Sequence, residues 1–212
     1  MNLLFIDCET SGLPANRYAS YLQTNMWPYI LQISWQCVNS TDWSCKKSAD
    51  YFIKPRGPWN QDAEKIHQIP ESIVLQFGKD PLVVFNELIE DISNCDIIIA
   101  HNLSFDKNCI LAEIQRLYTS GLLSKKAITY WPLTKKNLCT MVKTKNYVAI
   151  EFPNSKDFKF PKLGELYAKL FGKIYDISGA ELHNSKHDVS CLIICFKQLL
   201  LLPEFANILT TC

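Results

Sequence analysis

Apolar residues along the chain follow two different spacings. Short runs that are continuously apolar, or that alternate with polar residues, predict strands when turn-forming residues bound them. Residues 29–38 and 43–54 are separated by a polar turn and predict a hairpin, and the apolar run at 96–100 is typical of a strand covered on both faces. The predicted strands comprise residues 2–8, 29–38, 43–54, 96–100 and 127–131.

Longer segments repeat their apolar residues at every third or fourth position and predict helices. The clearest begins at Asp80-Pro81, a typical helix start, and carries a stripe that includes Leu82, Phe85 and Leu88. The predicted helices comprise residues 61–69, 70–77, 80–93, 103–118, 162–171 and 183–202, and residues 11–28 and 144–160 are expected to be loops. Alternating strands and helices without repeats or linkers predict one α/β domain over residues 1–212.

Composition and charge exclude several protein classes. With 22 Lys+Arg against 21 Asp+Glu, the net charge of +1 excludes binding by a polybasic tail. The 7 glycines nowhere form the loops that bind dinucleotides or nucleoside triphosphates. The apolar runs are too short for a signal peptide or a membrane span, so we expect neither secretion nor a membrane. The 9 scattered cysteines favour free thiols in the cytosol or nucleus.

Asp7 and Glu9 are separated by one residue at the end of the first predicted strand. The two-residue period of a strand places both side chains on the same face. Neighbouring carboxylates repel unless a cation neutralises them, and divalent metals that act on phosphate substrates prefer such oxygen ligands. The pair therefore indicates a metal site, although acids at a strand end can also be merely solvated.

Two further segments contain acidic residues near predicted helix starts. Asp106 follows the strand at 96–100 and is expected in the first turns of the next helix, at the sheet edge where α/β proteins bind ligands. A solvated acid stabilised by the helix dipole is the alternative. His183 and Asp188 begin the last long helix, and a histidine beside a metal site is a candidate general base. His187 is expected to lie at the surface or in packing.

In this order, the motifs D-x-E, H-N-x-x-F-D and H-x4-D resemble those of the DnaQ-like 3′–5′ exonucleases with the DEDDh signature. Residues 63–69 (AEKIHQI) look like the family's IHGI segment, with Gln68 where glycine is usual, and residues 161–167 (PKLGELY) resemble another of its helices. The resemblance covers nearly the whole chain. It implies a ribonuclease H-like α/β fold with a five-stranded mixed sheet flanked by helices on both faces.

The resemblance further implies hydrolytic release of nucleoside 5′-monophosphates from the 3′ ends of nucleic acids. Two divalent ions, Mg²⁺ or Mn²⁺, would serve the reaction, and His183 would take a proton from the attacking water. The implied metal ligands are Asp7, Glu9, Asp106 and Asp188. The implied contacts to the terminal nucleotide are Thr10, Leu13, Asn102 and Phe105. We expect single-stranded DNA in proofreading or repair more than RNA, and a homodimer or an association with a polymerase stays open.

Three alternatives remain from the sequence. The enzyme could be an exoribonuclease or oligoribonuclease, because the contacts that recognise a 2′-hydroxyl cannot be identified from one sequence. The chain could also be a non-catalytic nucleic-acid-binding scaffold. A zinc site is the third alternative, since His183, His187 and Cys191 recur at every fourth position of one helix. Four lysines are candidates for phosphate contacts or for a solvated face: Lys135, Lys136, Lys143 and Lys145.

Overall fold

A five-stranded mixed sheet forms the centre of the molecule. The computed structural model describes residues 1–124, 135–152, 156–174 and 184–210. The strands are β1 (Asn2–Thr10), β2 (Ile30–Asn39), β3 (Cys45–Phe52), β4 (Ile97–Ala100) and β5 (Lys136–Cys139). Their order is β3-β2-β1-β4-β5; β1, β4 and β5 are parallel, and β2 is antiparallel to both β1 and β3. The predicted mixed sheet and hairpin are confirmed.

Helices connect the strands and cover the sheet. The described helices are α1 (Gln61–His67), α2 (Glu71–Phe77), α3 (Pro81–Asn94), α4 (Leu103–Thr119), α5 (Thr140–Lys143), α6 (Lys145–Val148), α7 (Leu163–Phe171) and α8 (Ser185–Leu199), with short 3-10 turns at Thr24–Met26 and Pro203–Phe205. Local sequence sets several boundaries. The Asp80 carboxylate caps α3 by accepting from the Leu82 amide at 2.7 Å, directly before Pro81. The Asn60 side chain caps α1 in the same way.

Alternate residues of β1 contribute to two separate apolar cores. Leu4 and Ile6 point to one face, where α3 and α4 pack on them. Leu3 and Phe5 point to the other face, where they meet α7 and α8. This alternation follows from the two-residue period of a strand, and it confirms that helices flank both faces of the sheet.

The fifth strand and the segment after it differ from the sequence prediction. The strand predicted at 127–131 lies outside the described residues, and the fifth strand of the sheet is Lys136–Cys139, whose sequence KNLC is too short and too polar to be predicted as a strand. The loop predicted at 144–160 is wrong at its beginning, because α6 occupies Lys145–Val148 there. The Thr144 hydroxyl at the start of this helix is buried and donates to the Thr140 carbonyl at 2.8 Å.

The remaining expectations concern membranes and cysteines. In the parts of the chain that the structure describes, no helix combines the length and the apolar character needed to span a bilayer. All cysteines within these ranges are free thiols, as expected, and most of them are buried.

Candidate active site

The acidic residues of β1 lie where this central strand loses one of its neighbours. Pairing with β2 continues along all of β1, whereas the pairing with β4 ends at Phe5. Asp7 and Glu9 follow on the face that α8 covers, as their alternation with Leu3 and Phe5 requires. Beyond Phe5, the backbone groups on this edge of β1 are therefore available for hydrogen bonds to side chains.

Asp106 binds to this free edge from the first turn of α4. One oxygen of its carboxylate accepts the Cys8 amide at 3.1 Å and the Cys8 thiol at 3.2 Å. Asp106 is 3% exposed, so these bonds are shielded from water. Just before the helix, Asn102 adopts a left-handed conformation (φ 81°) and turns the chain from β4 into α4. The sequence prediction for Asp106 is confirmed in its position.

A chain of buried hydroxyl groups attaches the beginning of α8 to β2. The Ser34 hydroxyl lies 2.7 Å from the Ser185 hydroxyl and 2.7 Å from a carboxylate oxygen of Asp50. A carboxylate can only accept, so Ser34 donates to Asp50 and Ser185 donates to Ser34. Ser34 is the register partner of Asp7. The contact therefore fixes the first turn of α8, and with it Asp188, opposite the acidic end of β1.

Gln32 strengthens the same attachment and has no exposed surface. Its amide nitrogen donates to Asp50 at 2.9 Å and to the Asn184 side chain at 3.3 Å, while its oxygen accepts the Ser185 amide at 3.4 Å. Asn184 in turn caps α8 by accepting from the Lys186 amide at 3.1 Å. Every polar group of Gln32 thus has a partner, which makes its complete burial tolerable.

Four carboxylates converge at this edge of the sheet. Asp7, Glu9 and Asp188 are half-buried, and one oxygen of each lies within 4.8 Å of those of the others. Burial raises the pKa of Asp7 well above its usual range, and the negative charges of Asp106, Asp188 and Glu9 raise it further. Burial, followed by the charges of Asp188 and Asp106, raises the pKa of Glu9 to about 8. Burial also raises the pKa of Asp106 to about 7, although the bonds from Cys8 oppose it.

This donor set fits a hard divalent cation. Mg²⁺ and Mn²⁺ prefer carboxylate oxygens, and a bound cation would offset both the burial and the mutual repulsion that raise these pKa values. Asp7, Glu9 and Asp188 are the residues that could bind such an ion, with Asp106 adjacent. Within the described ranges, the ligand atoms of these three carboxylates lie close enough together to bind one metal ion. Neither His187 nor Cys191 belongs to this cluster. The zinc alternative therefore gains no support from the described residues.

A cavity of about 390 Å³ adjoins the acidic cluster. Glu9 belongs both to the cluster and to the cavity wall. Leu13, which is 83% exposed, and the half-buried Phe105 supply apolar surface to the cavity wall. Thr10 also lines the cavity, but its hydroxyl donates to the Gly12 carbonyl at 2.7 Å and so supports the following loop. Asn102 does not line the cavity.

Helix α1 forms a wall of the cavity that the sequence analysis did not assign. Ile66 and His67 line it, and the buried His67 ring accepts the Ile69 amide at Nδ1, 3.0 Å away. The AEKIHQI sequence could have indicated this wall, because it resembles a motif of the DnaQ-like exonucleases. No function was assigned to it from the sequence. Gln68 lies in the left-handed region (φ 55°), a conformation that glycine adopts without strain, so the backbone here fits the glycine of the motif that this segment resembles.

The remaining predicted residues are the candidate general base and the four lysines. His183, the predicted general base, lies outside the described residues. Lys135 donates to the Ser93 and Cys95 carbonyls at 2.9 and 2.6 Å, and Lys145 pairs with Asp157 at 2.8 Å, so both have partners within the chain. The other two predicted lysines, Lys136 and Lys143, are exposed.

Comparisons with known proteins identify the fold. No protein-family model and no curated protein sequence matches the chain. Solved structures do: E. coli exonuclease I in complex with a dA16 oligonucleotide aligns with a TM-score of 0.70 at 16% identity, and covers 99% of this chain and 43% of that one. Another exonuclease I structure aligns with a TM-score of 0.70 at 17% identity, and the alignment again covers 99% of this chain and 43% of that one. The zinc-bound form of its complex with single-stranded DNA has a TM-score of 0.70 at 16% identity, with the same shares covered.

These alignments place the chain among the α/β proteins with the ribonuclease H-like fold of exonucleases, which confirms the expected fold class. The chain spans less than half the length of exonuclease I. At this level of identity the similarity establishes the fold alone.

Proposed function

We propose that this chain is a metal-dependent 3′–5′ exonuclease that hydrolyses single-stranded DNA from its 3′ end. The observation that carries the proposal is the convergence of Asp7, Glu9, Asp106 and Asp188 at one sheet edge, beside a cavity that Glu9 shares. Clustered carboxylates with raised pKa values are typical of functional sites. The fold supports the proposal, since exonuclease I with the same fold has been solved with single-stranded oligonucleotides.

The acidic residues would hold the metal ions of the reaction. Asp7, Glu9 and Asp188, together with Asp106, would bind two Mg²⁺ or Mn²⁺ ions. When bound, such a pair of ions activates a water molecule and stabilises the leaving oxygen in phosphodiester hydrolysis. The bonds from Cys8 fix Asp106, and the Ser34–Ser185 contact fixes the helix that carries Asp188.

The residues of the cavity would bind and orient the terminal nucleotide. Leu13, Phe105 and Ile66 offer apolar surface to its base, and Thr10 orders the loop that carries Leu13. Glu9 faces both the cavity and the cluster, so it would hold the terminal sugar next to the bond that is cleaved. His183, five residues before Asp188, would take the proton of the attacking water.

A single assay tests this function. We would incubate the protein with 5′-labelled single-stranded DNA or RNA of equal sequence, in Mg²⁺, Mn²⁺ or EDTA. We expect a ladder that shortens from the 3′ end with either metal, faster for DNA, and no ladder in EDTA or with Asp188→Asn. Faster cleavage of RNA would instead favour the exoribonuclease alternative. The absence of cleavage with both metals would overturn the proposal in favour of a non-catalytic scaffold.

A further inference from the structure

Residues 140–162 present lysines and aromatic side chains that the proposed mechanism does not use. Phe152 and Phe160 are each 49% exposed. Lys143, Lys156 and Lys162 of the same segment are also exposed. These five residues are called the lysine–aromatic surface below.

Phe152 and Phe160 are both linked to Asp157. The Lys145 ammonium group lies 5.1 Å from the centre of the Phe160 ring and 2.8 Å from the Asp157 carboxylate. The Phe152 amide donates to the Asp157 carbonyl at 3.3 Å. The Phe160 ring therefore lies beside this ion pair, and the backbone of Phe152 is bonded to the same acidic residue.

The surface concentrates the positive charge of the molecule. Residues 140–162 contain five lysines and two acids, a net charge of +3, whereas the whole chain carries only +1. Lys145 and Lys159 form ion pairs with Asp157 and Glu165. The lysines of the surface add charge beyond these pairs. Such a local excess attracts a polyanion.

His101 attaches this segment to the candidate active site. Its Nε2 lies 2.8 Å from the Pro161 carbonyl, which can only accept, so this nitrogen carries the proton. Its Nδ1 lies 2.9 Å from the Thr140 hydroxyl. His101 directly follows β4 and precedes α4, which carries Asp106. Both ends of the segment are thus attached next to the acidic cluster, on its β5 side.

The cavity and the lysine–aromatic surface lie on different sides of the cluster. The cavity uses α1 and the end of β1, whereas the surface lies beyond β4, at the carboxyl end of β5. A strand whose last nucleoside fills the cavity has its last phosphodiester at the carboxylates. The remainder of the strand can then continue towards the β5 side.

We propose that the lysine–aromatic surface binds single-stranded DNA upstream of the terminal nucleotide. Phe152 and Phe160 stack on bases, and the lysines neutralise phosphates. Every base offers a ring face, so stacking tolerates any sequence, and duplex bases are not available for it. This inference rests on the proposed exonuclease function, because the location of the active site defines which strand segment reaches the surface.

Binding in EDTA tests the aromatic part without catalysis. Fluorescence anisotropy of a 5′-labelled oligo(dT) of about 15 nucleotides gives the Kd. Removing stacking contacts in Phe152→Ala/Phe160→Ala should weaken binding by at least about five-fold. Duplex DNA should bind this variant and the wild type equally. Because both rings are half-exposed, we expect the melting temperature to change little. An unchanged Kd for oligo(dT) would contradict the role of the two rings.

Salt dependence tests the lysines. In Lys143→Gln/Lys162→Gln, the slope of log K against log salt should fall by about 1.4, since each phosphate contact on a single strand contributes about 0.7. The matched control is Lys46→Gln/Lys197→Gln, two exposed lysines near the β2–β3 turn at the opposite edge of the sheet. The control should keep the wild-type slope. Equal slopes in both variants would overturn the proposal.

A minimal substrate separates this inference from the proposed function. The p-nitrophenyl ester of thymidine 5′-monophosphate occupies only the cavity and the acidic cluster. Both surface variants should hydrolyse it at the wild-type rate, while their KM for oligo(dT) rises. If the wild type hydrolyses neither substrate but the variants bind oligo(dT) more weakly than it does, the surface is supported and the exonuclease function is rejected. Hydrolysis of both substrates with wild-type Kd in the variants would reject the surface alone.

Discussion

The two halves of strand β1 differ in pairing, burial and charge. From Leu3 to Ile6 the side chains are fully buried, and through Phe5 hydrogen bonds join the strand to both β2 and β4. From Asp7 onwards β4 is absent, and carboxylates replace apolar residues on the α8 face. The first half stabilises the fold, whereas the second gathers groups that repel one another. Stability and the proposed function are thus separated along one strand, and substitutions in its two halves should have opposite effects.

The largest effect is expected from Asp7→Asn, which removes a carboxylate from the second half. Metal ions stabilise the transition state by several kcal/mol, so losing a ligand should lower kcat/KM on single-stranded DNA by about 1,000-fold. The melting temperature in EDTA should rise, because the substitution removes repulsion from Asp106, Asp188 and Glu9. Kinetics and thermal melts on the same sample measure both. A lower melting temperature together with retained activity would refute the division of β1.

Phe5→Ala should have the opposite outcome in the first half. Phe5 has no exposed surface, and its ring contacts Phe196 edge-on at 5.5 Å between centroids. The cavity left behind should cost about 3–5 kcal/mol of unfolding free energy. Urea titration measures this loss. Below the unfolding midpoint, kcat/KM per folded molecule should stay close to that of the wild type. Phe77→Ala, at a ring that is 54% exposed, serves as the control and should cost much less.

Burial and repulsion of the carboxylates at the second half also predict how stability depends on pH. The pKa of Glu9 is raised to about 8 and that of Asp106 to about 7, so the folded protein holds protons that the unfolded chain releases above about pH 4. The stabilisation that these two groups contribute in EDTA is therefore fully present below that pH and is lost as pH rises towards 8. We expect the melting temperature to drop by at least about 3 °C across this window.

Two comparisons check the origin of this pH dependence. Glu9→Gln should flatten the slope in EDTA, because it removes one of the titrating groups. Saturating Mg²⁺ should flatten it for the wild type, since the cation replaces the protons. A slope that neither change affects would assign the pH dependence to other groups.

The sequence predicted the first half of β1 and the acids of the second for the same reason, which is the two-residue period of a strand. It did not predict that β1 loses β4 after Phe5, because strand pairing depends on where a distant segment ends. Gln32 and Ser34 show another limit. They occupy polar positions in an alternating strand, which usually face solvent, and yet both are buried. Asp50 comes from the other strand of the hairpin, but Ser185 comes from a distant part of the chain.

The smallest of the expected effects concerns Ser34, the register partner of Asp7. Ser34→Ala leaves the buried Ser185 hydroxyl without its acceptor, which should cost about 1–3 kcal/mol. The double variant Ser34→Ala/Ser185→Ala removes both groups and should recover part of that stability. If the contact also positions α8, both variants should bind Mn²⁺ more weakly than the wild type at equal stability. Calorimetric titration with Mn²⁺ separates the two effects. Unchanged Mn²⁺ affinity would restrict Ser34 to stabilising the fold, and the acidic half of β1 would not depend on this contact.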